Sequence, residues 1–174
     1  MNYRRYDMEH AADINRRDTV HRVALGSDHG GYVGKEVLKR YLELGGYRIV
    51  DVGTFSEESV DYPDYAVLVA RAVADESVDR GIMIDGAGIG SAMVCNKVRG
   101  IRAAMCYDRK TIINSREHNN ANVLTLGGPL HGPDELCELA ELWLKTRFEG
   151  GRHWRRINKM MAVERGIRSP MGEK

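Results

Sequence analysis

Two short stretches set an acid beside glycines: IDGAGIGS at residues 84–91 and SDHGG at 27–31. Each follows an apolar run of strand character. Asp85 and Asp28 therefore sit at strand ends, with amide-rich loops directly after them. Carboxylates there can move protons, and successive glycine N–H groups can converge on an anion or on developing negative charge. Both aspartates also suit the plainer duty of capping a helix or turn. His29 follows Asp28, and an imidazole titrates near neutrality. SREHNN (115–120) adds His118, Asn119 and Asn120. EGGRHWRRI (149–157) carries Arg152 and Arg156 four residues apart. A helix would set both guanidiniums on one face, where they can grip a phosphate through charge-assisted hydrogen bonds. Alone, such a run reads as solvated surface.

The glycine loop does not fit a nucleotide. GAGIG is GxGxG, not GxGxxG; it follows the third strand instead of the first, and it lacks the P-loop lysine. What remains is a tight turn that needs glycine, with the amides of Gly86, Ala87, Gly88 and Gly90 ahead of a helix as a site for an anion. No histidine pair has HxxxH or HExxH spacing, so no metal is expected.

Strands and helices must position these residues. Strands are expected at 22–27, 47–53, 81–85, 101–106 and 122–127. Helices are expected at 33–45, 65–75 after a turn at Pro63, 91–98, 108–117 and 134–149, with a last basic helix from Arg152. Alternating strands and helices with short, wholly apolar strands predict an α/β, Rossmann-like three-layer fold around a five-stranded parallel sheet. Ligands of such sheets bind beyond the carboxyl ends of the strands, which is where Asp28, His29, Asp85 and the glycine loop are predicted to converge.

The chain has 174 residues, enough for one domain at 22–165 between a charged arm (1–21) and a short tail (166–174). Its 26 basic and 25 acidic residues leave a formal charge of +1, which gives no reason to expect nucleic acid or a membrane as partner. Three cysteines without CxxC spacing read as reduced thiols of a cytoplasmic protein. Cys106 is the only one predicted near a strand end facing the site; buried packing is its plainer reading.

Taken together, GSDHGG (26–31), DVGT (51–54), DYP (61–63), GxGxGSxMxxNKxxGIRAA (86–104), REHNNANVLTLGG (116–128) and EGGRHxxR (149–156) resemble the type B ribose-5-phosphate isomerases and the related galactose-6-phosphate isomerase subunits. The resemblance implies a cofactor-independent aldose–ketose isomerase of a phosphorylated sugar, ribose 5-phosphate first. It implies a homodimer or homotetramer with shared active sites, reached by a C-terminal helix, and no metal or organic cofactor. By resemblance, Asp28 and His118 handle the ring and hydroxyl protons, and Tyr62 and Asn119 contact the sugar. The loop amides hold the enediolate. His29 lies near the phosphate with Arg152 and Arg156, the two arginines coming from the neighbouring subunit. Four positions depart from the family. Asp85 stands where many relatives carry a cysteine base, and Ser91 where others carry a glutamate. Pro129 replaces a usual arginine, for which His131 is a candidate substitute, and Ala87 replaces a hydroxyl residue. Asp85 is the natural replacement base, and it also resembles one galactose-6-phosphate isomerase subunit. A hexose or tetrose phosphate, or a binding relative without turnover, are the alternatives.

Overall fold

A computed structural model describes residues 20–166. Most of the predicted arm (1–19) and tail (167–174) therefore lies outside the described residues. In chain order the elements are β1 (Arg22–Ser27), α1 (Tyr32–Leu44), β2 (Arg48–Asp51), α2 (Tyr62–Ala74), β3 (Arg80–Asp85) and α3 (Ile89–Cys95). They continue with β4 (Ala103–Met105), α4 (Arg109–Glu117), β5 (Val123–Gly127), α5 (Pro133–Lys145) and α6 (Arg152–Glu164).

The five strands form one sheet in the order β2-β1-β3-β5-β4, every pairing parallel. Burial on both faces explains the apolar runs. Val23, Leu25, Ile82, Ile84, Leu124 and Leu126 point to one side, where α1, α4 and α5 cover them with Leu38, Ile112 and Trp143. Ala24 and Met83 point to the other, against Ala66, Val69 and Ala70 of α2. Small residues let α2 sit close: a Cβ on Gly26 or Gly81 would come within 2.5 or 2.6 Å of Val69.

Several element ends differ from expectation. Pro63 lies in the first turn of α2 instead of ahead of it, as its missing N–H and preset φ allow. This makes Tyr62 the first helical residue. α3 begins inside the glycine loop at Ile89 and stops at Cys95. The predicted helix at 134–149 ends at Lys145, and an extended stretch from Thr146 leads to α6.

At the carboxyl edge of β2 lies a buried ion pair. Lys35 of α1 has no exposed surface, and its Nζ lies 2.7 Å from an Asp51 carboxylate oxygen that Lys39 also reaches at 2.9 Å. Burial opposes ionisation of Asp51, but the bonds from Lys35 and Lys39 outweigh it and hold the carboxyl below its usual range. That contribution to stability is present above the ordinary carboxylate pKa and is lost as pH falls through the lowered folded-state value.

Candidate active site

β1 stands between β2 and β3 in the sheet, so the chain path diverges at the β1/β3 boundary, the kind of switch point at which parallel sheets bind ligands. Ser27 pairs with Ile84 there, and the next residues on each strand are Asp28 and Asp85. The register therefore sets two carboxylates side by side.

Asp28 caps a tight turn at His29–Gly31, accepting from the Gly31 N–H at 3.0 Å. Burial pushes its carboxyl above the usual range and the neighbouring Asp85 charge adds to the rise, against the opposing Gly31 hydrogen bond. Close approach to β3 requires the glycines here. A Cβ on Gly31 would lie 2.1 Å from the Ile84 carbonyl oxygen. Gly31→Ala is expected to cost at least about 3 kcal/mol and to lower the melting temperature by about 10 °C, read by thermal denaturation.

Asp85 is 5% exposed. One oxygen of its carboxylate accepts from the N–H groups of Ala87, at 2.8 Å, and Gly88. The other accepts from the Ser91 N–H at 3.2 Å and from the Ser91 hydroxyl. Gly88 turns the loop with φ +76°, which glycine adopts without penalty, and Thr125 of β5 holds its carbonyl with a 2.7 Å hydrogen bond. The loop amides thus divide. Those of Ala87 and Gly88 face Asp85, leaving Gly86 and Gly90 as the candidates of the expected set to face an anion. Gly90 lies in the first turn of α3, where N–H groups lack helical partners. Tyr62, 37% exposed, lays its ring over Gly90: a Cβ there would sit 2.6 Å from the Tyr62 ring. His29 Nδ1 accepts from the Val60 N–H at 3.2 Å, which leaves Nε2 carrying the proton of the neutral ring and free to donate.

His118 and Asn119 do not join this group within the chain. α4 starts just beyond β4 and runs back against the strand direction, so its last turn lies at the amino edge of the sheet. The connection to β5 begins there, with the Asn122 N–H bonded to the Arg102 carbonyl ahead of β4. The length of β5 separates the two groups, about 3.3 Å per residue. α6 docks at the same amino edge: the Gly100 N–H reaches Glu164 at 2.7 Å, and the Glu149 N–H reaches the Glu117 carbonyl at 3.1 Å.

A second cluster forms there. The His118 ring stacks on that of His153 with centroids 4.3 Å apart and planes within 6°. Arg152 and Arg156 flank the two nitrogens of His153 at 3.4 and 3.5 Å. Burial, with the charges of His118, Arg152 and Arg156, holds the buried His153 imidazole below its ordinary pKa. Sequence reasoning missed His153, although it lies inside the quoted EGGRHxxR stretch, because its neighbour His118 is distant in sequence. His118, Glu149 and His153 also offer ligand atoms within 4.8 Å of one another, a gathering that histidine spacing did not reveal. A ring nitrogen donates its lone pair in the ring plane, and two parallel, stacked planes do not meet at one ion. With two guanidiniums alongside, the cluster suits an anion better than a metal. The guanidinium-bearing residues Arg152 and Arg156 are solvent-exposed.

The thiols are poor bases. Cys106 is buried beyond β4, two strands away from β3, and burial raises its pKa. Cys95 is pushed up to about 12 by burial and by the Asp85 charge. His131 has a side chain only 4% exposed and faces Glu135 at 3.2 Å.

A family model described as Ribose/Galactose Isomerase matches residues 23–160. The chain belongs to the ribose/galactose isomerase family. Ribose-5-phosphate isomerase B of Escherichia coli is 40% identical over 143 residues, which cover 82% of this chain and 96% of that protein. The structure of Clostridium thermocellum ribose-5-phosphate isomerase B superposes with a TM-score of 0.82 at 45% identity, covering 83% of this chain and 98% of that one. The Mycoplasma genitalium enzyme with bound ribulose-5-phosphate gives 0.80 at 39% identity, covering 83% and 97%. This isomerase fold is therefore the five-stranded, all-parallel sheet described above. Among the described residues no helix is long and apolar enough to cross a membrane.

Proposed function

We propose that the chain is a cofactor-independent aldose–ketose isomerase that interconverts ribose 5-phosphate and ribulose 5-phosphate. The observation that carries this reading is the pair Asp28 and Asp85 at the β1/β3 switch point, beside a loop whose Ala87 and Gly88 amides serve Asp85 and whose Gly86 and Gly90 amides are left as candidates to meet a developing oxyanion. Asp85 takes the proton from C2 of the opened sugar and returns it to C1, while the O2 hydroxyl proton passes to O1, so that the C1 carbonyl becomes a hydroxyl and the C2 hydroxyl a carbonyl. The enediolate oxygen between these steps is held by the amides of Gly86 and Gly90. Four donors fix the Asp85 carboxylate in place, and it takes up the proton where one of them gives way; the Ser91 hydroxyl, which can rotate from donor to acceptor, is the one able to do so. Asp28, its carboxyl raised by burial, is suited to carry a hydroxyl proton during ring opening. Tyr62 and His29 border the sugar and its phosphate.

Among the described residues this half-site gathers no guanidinium, whereas the opposite edge holds Arg152 and Arg156 with His118 and Asn119. We infer that two copies assemble so that the second cluster of one faces the carboxylates of the other. Exposed apolar side chains support such contacts: Ile89 and Met93 beside the glycine loop, and Met160 and Val163 on α6. An open groove of about 960 Å³ along edge strand β4 brings Asn119 and Met160 onto its walls.

A hexose or tetrose phosphate is the second reading, favoured by Asp85 and Pro129 at positions where ribose isomerases resembling this chain carry other residues. A binding relative without turnover is the third, favoured by the four hydrogen bonds through which Asp85 also braces the loop. Conversion measured over tetrose, pentose and hexose phosphates decides among them. The expected result is turnover with the pentose phosphate preferred and the rate unchanged by a chelator. Preference for another sugar moves the assignment to it, and no turnover on any of them removes the isomerase reading.

A further inference from the structure

Lys35 lies outside both clusters, yet it is fully buried at the carboxyl edge that carries the first one. Its stem passes under the segment that joins β2 to α2. A Cβ on Gly53 would come within 2.7 Å of Lys35 Cδ, and Nζ lies 5.4 Å from the centre of the Phe55 ring. Nζ meets Asp51 at 2.7 Å and also pairs with Glu36, and the same Asp51 accepts from the Gly53 N–H at 3.1 Å. The segment leaves this anchor with its Thr54 N–H on the Ser27 carbonyl at 3.0 Å. Six residues further on, the Val60 N–H holds His29 Nδ1 at 3.2 Å, and Tyr62 closes over Gly90.

We propose that Lys35, through its buried pair with Asp51, is a positioning residue that fixes the 52–61 segment and thereby the tautomer of His29 and the seat of Tyr62. For its kinetic part this rests on the isomerase reading. The physical reason is that Lys35, with no exposed surface, keeps its charge only while Asp51 and Glu36 stay against it, and Lys39 supports the same Asp51 from the part-exposed side, which keeps the anchor closed. An irregular segment of this kind has few backbone bonds of its own to hold it.

The test uses the full chain with Lys35→Met and, because that change leaves the part-exposed Lys39 as the cationic partner of Asp51, also the double variant Lys35→Met/Asp51→Asn. The double variant leaves no unpaired buried charge and keeps an oxygen for the Gly53 N–H. The first readout is the nitrogen spectrum of the His29 imidazole without substrate, assigned by His29→Gln. Recorded in alkaline buffer, the wild type should show the Nε2–H tautomer, and both variants should show averaging between tautomers. The second readout is kinetic: KM for the sugar phosphate should rise about tenfold with kcat changed less than about threefold, since binding walls move and the base does not. An unchanged His29 spectrum in a folded double variant overturns the proposal. Wild-type protein without turnover would instead defeat the isomerase reading, and the His29 spectrum would still decide the role of Lys35.

Discussion

Asp85→Asn should lower kcat by a factor of about a thousand or more while the protein stays folded, because an amide cannot carry the proton between C2 and C1. The substitution isolates the chemistry from the loop's stability. Asn keeps one oxygen for the N–H groups of Ala87 and Gly88, and it turns an NH₂ toward the Ser91 N–H while the Ser91 hydroxyl rotates to accept. One mismatched donor pair costs about 1–3 kcal/mol, within what a domain of this size tolerates. Asp85→Ala would orphan all four donors at once and confuse folding with catalysis. Asp28 supplies a second, independent reading of the same variant. The Asp85 charge helps to raise the Asp28 pKa, so its loss should move the Asp28 titration downward, measurable by carbon NMR of the carboxyl group. Near-normal turnover in Asp85→Asn would transfer the base role to Asp28, the adjacent carboxylate, since the buried thiols of Cys95 and Cys106 remain protonated.

Mixing two inactive variants should restore activity. Asp85→Asn removes the proposed base, and Arg152→Ala/Arg156→Ala removes the proposed anion grip at the opposite edge, with an expected fall in kcat/KM of about a hundredfold or more. If the two halves of a site come from different copies, a mixed dimer holds one site with both defects and one with neither. Random re-association of equal amounts then makes about a quarter of all sites intact, since half the dimers are mixed and half of their sites are whole. Activity near a quarter of wild type after unfolding and refolding the mixture together is the expected result. Activity no higher than the sum of the two variants alone would mean that each site is built within one chain, contrary to the separation of His118 and Arg152 from Asp85 along the sheet.

That separation is not written in any local stretch of the sequence. Asp28, His29 and Asp85 were legible because strand ends are local signals: apolar runs stop, glycines follow, and parallel register then aligns neighbouring ends. The β1/β3 pairing of Ser27 with Ile84 completes what those local signals began. His118 and Asn119 also stood next to a strand, but at its beginning. The motif itself says nothing of which edge it will occupy; the direction of α4 does. Lys35 has no local signal of its role: the sheet order alone brings Asp51 against it. The start of α2 moved because proline is as acceptable in a helix's first turn as in the turn before it, and local propensity cannot choose between these.

The class of fold and the family were legible from local patterns alone, as were the carboxylates, imidazoles and guanidiniums proposed for the site. Hydrophobic period, glycine placement and motif order depend on nearest neighbours along the chain, and these are written in it directly. Tertiary structure decided which groups face one another: Asp85 with its own loop amides, His153 beneath His118, and the carboxylates on one edge with the arginines on the other. Such contacts arise from strand order and helix direction, which join residues tens of positions apart. Their energies exist only once the sheet has formed, and no local pattern carries them.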